Sequence, residues 1–80
     1  MQQLTNNEVI SNVTIGHVSV LVTFIVKPVN DTVTLQTNTG SSWVDVKGYT
    51  DNEAVDVPLH SGVQWRFTIP NGSTVSYYYE

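Results

Sequence analysis

Apolar and polar side chains alternate with a period of two along most of this chain, and no window places apolar residues at three-and-four spacing. Period two is the pattern of a strand with one face in a core. The cleanest run is 63–69, where Val63, Trp65, Phe67 and Ile69 share one side and Gln64, Arg66 and Thr68 the other. In 18–26, Val18, Val20, Val22, Phe24 and Val26 share one side, while Leu21 and Ile25 make the second side apolar too. A strand apolar on both sides wants two covers. The face of Leu21 and Ile25 is therefore expected to meet a neighbouring subunit or the N-terminal arm.

Shorter runs complete the set. Residues 32–37 point Val33 and Leu35 inward, and residues 54–59 point Val55, Val57 and Leu59 inward. Over 43–47, Val44 and Val46 lie on one side and Trp43, Asp45 and Lys47 on the other, which should face solvent. Residues 74–79 close the chain, and an imperfect run over 8–15 sets Val9, Val13 and Ile15 against Ile10. Turn chemistry separates the runs: Pro28, Gly40, the polar loop 48–53, His60-Ser61-Gly62, and Pro70-Asn71-Gly72-Ser73. Asn-Gly is the strongest short-range hairpin signal, so the last two strands are expected to form a hairpin. Residues 1–7 are polar and read as a flexible or partner-docked arm. The prediction is one all-β domain over 1–80, an antiparallel sandwich or small barrel of about seven short strands.

Composition supports that reading and bounds the function. Valine and threonine dominate, and both suit a pleated sheet better than a helix. A chain of 80 residues forms one domain, and at this size it buries only about 60–65% of its unfolded surface. Small domains compensate with disulfides, a metal or oligomerisation. There is no cysteine, so oligomerisation is the expected support, as a homo-oligomer or as part of a large assembly. Charged residues are 12% of the chain, against roughly 25% in an average domain. A hydroxyl- and amide-rich surface costs little to desolvate and suits packing against other subunits, and an ordinary soluble β-domain can look the same.

The formal net charge is −4, and Lys27, Lys47 and Arg66 are scattered. Phosphate binding needs clustered cations, so neither nucleic acid nor an anionic membrane is expected as a partner. The apolar stretch 18–26 is too short for a membrane helix. The N-terminus, Met-Gln-Gln-Leu-Thr-Asn-Asn-Glu, has no basic region of a signal peptide, and the expected site of synthesis is a cytoplasm.

Candidate chemistry is thin. His17 and His60 are the only histidines, and Ser61 beside His60 lies in no nucleophile elbow or oxyanion loop. No enzyme activity and no catalytic residue is expected. Asp45, Asp51, Glu53 and Asp56 make an acidic neighbourhood, but Asp51-Asn52-Glu53 lacks the ligand alternation and central glycine of a calcium loop. A solvated acidic loop is the expectation, with no metal and no cofactor. Three Asn-X-Ser/Thr sequons, at Asn12, Asn30 and Asn71, are read as unused. The aromatics are more informative. Trp65 and Phe67 read as core. Trp43, with Tyr49 near it, is a candidate contact for sugar or protein, or else a cover for one end of the domain. Tyr77, Tyr78 and Tyr79 put rings on both sides of the last strand, one side core and the other a contact surface. The candidate partner-binding residues are Leu21, Ile25, Trp43, Tyr49, Tyr77, Tyr78 and Tyr79.

The segments Val33-Thr34-Leu35-Gln36, Gly40-Ser41-Ser42-Trp43-Val44-Asp45-Val46, Val57-Pro58-Leu59-His60-Ser61-Gly62-Val63-Gln64-Trp65-Arg66-Phe67 and Gly72-Ser73-Thr74-Val75-Ser76-Tyr77 resemble, in strand-and-turn rhythm, the small Ig-like or jelly-roll-like β-domains of tailed-phage virion proteins. These include capsid decoration (cement) proteins and tail or fibre modules. The resemblance covers about the last 47 residues and carries no catalytic signature. It implies an Ig-like or jelly-roll-like sandwich and a non-enzymatic virion component, assembled in the host cytoplasm. Its partners would be the major capsid protein or other virion subunits. The leading expectation is a capsid decoration protein; the alternative is a receptor- or carbohydrate-binding module of a tail or fibre.

Overall fold

The computed structural model describes residues 2–11, 20–59 and 63–79, with the side chains at 2, 20, 78 and 79 outside that description. Its strands are β1 (Gln2–Gln3), β2 (Val20–Lys27), β3 (Val33–Asn38), β4 (Trp43–Tyr49), β5 (Glu53–Leu59), β6 (Trp65–Thr68) and β7 (Thr74–Tyr79). Six of them are four residues or longer; β1 is a two-residue bridge. They form two antiparallel sheets, a four-stranded one in the order β1-β7-β2-β5 and a three-stranded one in the order β4-β3-β6. The all-β, antiparallel class expected from the period-two pattern is what the chain adopts, and the described residues contain no helix.

The core draws on both sheets. Val22, Phe24 and Val26 of β2 are fully buried, as are Val33 of β3, Leu59 of β5 and Val75 of β7, and Leu35, Val57 and Phe67 are nearly so. The rings of Phe24 and Phe67, one from each sheet, lie 5.0 Å apart in a tilted arrangement, which suits the edge-to-face preference of aromatic pairs. The inward sides of 18–26, 32–37, 54–59 and 63–69 are thus as the alternation predicts, within the described residues.

Connectivity differs from the expectation at the C-terminus. Asn71-Gly72 does not make a hairpin: β6 pairs with β3, and β7 pairs with β2 and β1. The turn type fits this connectivity. The Ser73 amide donates to the Pro70 carbonyl at 3.1 Å, and Gly72 takes φ +87 while Asn71 is not in the left-handed region. A hairpin of type I′ needs positive φ at both central residues; positive φ at the second alone is the type II pattern, which splays the flanking strands. The chain therefore arches from one sheet to the other. Ser73 fixes the arch: it is buried, and its Oγ accepts from the Val29 amide at 2.7 Å. The single hairpin among the described strands joins β3 to β4, with Gly40 at φ +103 and its amide donating to Asn38 Oδ1 at 2.8 Å.

Residues 1–7, expected to be a free or partner-docked arm, lie against their own domain from Gln2 onward. β1 extends the four-stranded sheet beside β7, and the Leu4 amide donates to the Val75 carbonyl at 2.8 Å. The chain then turns at 5–8, where Glu8 Oε1 accepts from both the amide and the hydroxyl of Thr5. It continues along β6: the Asn7 amide donates to the Phe67 carbonyl, and Ile10 exchanges two backbone hydrogen bonds with Trp65 at 2.8 and 2.9 Å. Leu4 and Ile10 are buried and Val9 is exposed, so at this point of 8–15 it is the side of Ile10 that enters the core. Val13 and Ile15 lie outside the described residues, as do His17, His60, Ser61 and the sequon at Asn12.

Candidate functional site

Strand β2 carries its inward side into the core and turns the alternate residues outward. Its neighbours do the same in register: Leu21 lies opposite Pro58, Thr23 opposite Asp56 and Ile25 opposite Ala54 on β5, while Ile25 lies opposite Ser76 and Lys27 opposite Thr74 on β7. The outer face of the four-stranded sheet is therefore a stripe of Leu21, Pro58, Ile25 and Ala54, crossed by one hydrogen bond from Thr23 Oγ1 to Asp56 Oδ1 at 2.7 Å. Leu21 is 58% exposed and Ile25 partly buried. The N-terminal segment over 2–10, expected as one possible cover, lies elsewhere, and no described residue covers Leu21.

Strand β4 is an edge strand. Among the described strands it pairs only with β3, and its register slips between Leu35 and Gln36, so that Lys47 lies opposite Leu35 and Asp45 opposite Gln36 with Val46 as the extra residue. Such a bulge re-aims side chains. Asp45 stays on the outer side, where its Oδ1 accepts from Gln36 Nε2 at 2.7 Å. Lys47 and Tyr49 shift to the inner side. Val44 and Val46, set opposite the side expected to face solvent, are themselves 45% and 50% exposed on this edge strand.

Tyr49, read as a contact residue beside Trp43, is in the core at 4% exposure and offers a partner no ring face. Burial raises its phenol above the ordinary tyrosine pKa, and the nearby Glu53 carboxylate adds to that. Lys47 Nζ sits 5.2 Å from the Tyr49 ring centroid and 3.8 Å from Glu53 Oε1, reaching across the seam from β4 to β5.

Trp43 lies on the outer face of the three-stranded sheet, partly buried, with the Arg66 guanidinium 4.2 Å from its ring centroid. Arg66 Nε donates to Gln36 Oε1 at 2.7 Å, which leaves the Gln36 amide nitrogen for Asp45. One residue pair further along, Asn38 Nδ2 donates to Gln64 Oε1 at 3.1 Å. Sequence reading found Trp43 and missed Arg66 and Gln36, although the strict alternation of 63–69 already placed Arg66 outward. Tyr77 packs its ring against the core, 6.1 Å from Phe24; Tyr78 and Tyr79 pair through their backbones with Thr23 and Val22. Of the seven candidates, the fold brings Leu21 and Ile25 together on one outer face, Trp43 to another, and Tyr49 and Tyr77 to the interior.

The acidic residues do not converge. Asp45 is held by Gln36, Glu53 by Lys47 and Asp56 by Thr23, and no group of three metal-ligating side chains forms among the described residues. Trp65 Nε1 is buried without a hydrogen-bond partner among the described residues. No helix among them is long and apolar enough to cross a membrane. Comparison of the chain with protein-family models, with curated proteins and with solved structures finds no match.

Proposed function

We propose that this protein is a non-enzymatic structural component of a virion, a decoration subunit that docks on a capsid shell through the outer face of its four-stranded sheet. In this reading the two sheets are the layers of one β-sandwich. Its β2–β5 and β3–β6 pairings match the B–E and C–F pairings of an Ig-like arrangement, while its last strand joins the opposite sheet from the Ig order. The observation that carries the proposal is the Leu21 face. A side chain as large as leucine, 58% exposed beside Pro58, Ala54 and Ile25, forms an apolar stripe on a regular sheet surface. Burial against a shell would supply roughly 25 cal/mol per Å² before the costs of association. The same stripe can pack against a second copy, so decoration as an oligomer fits the same geometry. The resemblance of the 33–79 rhythm to phage virion domains supplies the setting.

The test is co-sedimentation of the chain with shells assembled from the cognate major capsid protein. The expected result is saturable binding that Leu21→Glu abolishes. Absence from the shell pellet at every protein concentration would sink the decoration role.

A second reading, a carbohydrate- or receptor-binding module, is favoured by a separate observation: the Trp43–Arg66 stack on the opposite sheet. It stands without Tyr49. Titration calorimetry with a glycan panel, lost on Trp43→Ala, is its test.

A further inference from the structure

We infer that the outer face of the three-stranded sheet binds an acidic saccharide, whose carboxylate is gripped by Arg66. This inference rests on the second reading above and gives it a ligand class.

Arg66 is pre-set as a carboxylate fork. Its guanidinium is fixed on two sides, by the Trp43 ring at 4.2 Å and by the Nε hydrogen bond to Gln36 at 2.7 Å. That hydrogen bond uses Nε alone. The two Nη groups have no hydrogen bond and no carboxylate within salt-bridge reach among the described residues. Gln36 also explains why Asp45 does not neutralise the charge. Its amide stands between Arg66 and Asp45, and its nitrogen occupies an Asp45 oxygen. The structure thus holds a partly buried cation in one orientation while Gln36 occupies Asp45. A planar guanidinium with its paired N–H groups free matches a carboxylate in bidentate fashion, and fixing it beforehand removes part of the ordering cost of binding.

The surroundings favour a sugar over a peptide. An extended peptide would add to a sheet edge, and neither edge of this sheet is suited to it. Asn7 and Ile10 already bond to β6, and β4 is bulged at Val46 with charges at Asp45 and Lys47 on either side, a device that blocks strand addition. What remains is a flat face with the exposed part of the Trp43 indole, the Arg66 fork, and the amides of Asn38 and Gln64 within one hydrogen bond of each other. Amides suit sugar hydroxyls and an indole suits a sugar ring, so a uronic or nonulosonic acid uses every group present.

Calorimetry and NMR on the full chain test this with an oligogalacturonate, a glucuronate-containing oligosaccharide and sialyllactose. Maltohexaose and lactose serve as neutral counterparts, with an oligoglutamate peptide as the protein-like acid. The expected result is saturable binding of an acidic saccharide, with its neutral counterpart at least tenfold weaker. The Arg66 Nε–H resonance should shift on titration of the wild type, which needs no variant to fold. Arg66→Lys, which keeps the charge and loses the fork, should weaken binding at least tenfold, and Leu21→Glu should leave it unchanged. Equal binding of neutral sugars would overturn the acidic assignment and leave the carbohydrate reading standing. Binding of no saccharide would overturn both. Arg66-dependent binding of oligoglutamate alone would make the ligand a protein and overturn the inference.

Discussion

The two lateral seams between the sheets are built differently. On one side the N-terminal segment bonds first to β7 and then to β6, and buries Leu4 and Ile10 as it crosses. On the other side β4 and β5 have no outer partner among the described strands, and an exposed ion pair, Lys47 to Glu53, spans the gap. The first seam is held by backbone ladders and apolar burial, the second by a solvated contact worth little. The open side still avoids adventitious pairing: β4 has its bulge and charges, and β5 has Asp56 and Pro58. Among the described residues the seam at 2–10 thus carries the apolar burial, while Leu21 and Trp43 lie on the outer faces.

That contrast can be broken in descending order of effect. Deleting residues 1–10 should do most. It removes two buried side chains at about 2–5 kcal/mol each, a sum comparable with the whole stability of a small domain. The expected outcome is loss of the cooperative urea transition; a truncated chain that still unfolds cooperatively near the wild-type midpoint would mean the segment is a mere appendage. Ile10→Ala alone should cost about 2–4 kcal/mol in the same measurement.

Tyr49 gives a smaller, pH-dependent effect. Its folded-state pKa is raised, so the unfolded chain loses the phenolic proton first as pH rises. The stabilisation is complete below the unfolded value of about 10 and is lost as pH climbs through the folded value. Denaturation midpoints should be insensitive to this group at neutral pH and fall above about pH 10, and Tyr49→Phe should flatten that fall. On the open seam, Lys47→Ala should change stability by less than about 1 kcal/mol. A loss as large as that of Ile10→Ala would erase the distinction between the seams.

Much of this was legible in the residues, and the exceptions have physical causes. Strict alternation placed Val22, Phe24, Val26, Val33, Leu35, Val57 and Phe67 in the core because a one-residue slip would expose a whole strand face. Alternation fails where the count of residues changes: the extra Val46 moved Lys47 and Tyr49 to the other side, and no local signal marks a bulge there. Asn71-Gly72 was read correctly as a turn and wrongly as a hairpin, since the dipeptide serves type II as readily as type I′ and the choice depends on which sheet each strand joins. Residues 1–7 look like an arm because Asn6 and Asn7 are polar, and both bond to backbone and hydroxyl groups, while Leu4 is too far from Ile10 to form a pattern with it. The Trp43–Arg66–Gln36 cluster was legible only in part, because Arg66 and Gln36 come from separate strands that meet through the β3–β6 register.

The exposed Leu21 also separates folding from docking, since a side chain left in water contributes little to the core. Leu21→Glu, followed by urea unfolding and by sedimentation with capsid shells in parallel, tests that separation most directly. The account predicts a stability within about 0.5 kcal/mol of wild type together with loss of shell binding. A variant that unfolds, or one that still binds the shell as the wild type does, would contradict it.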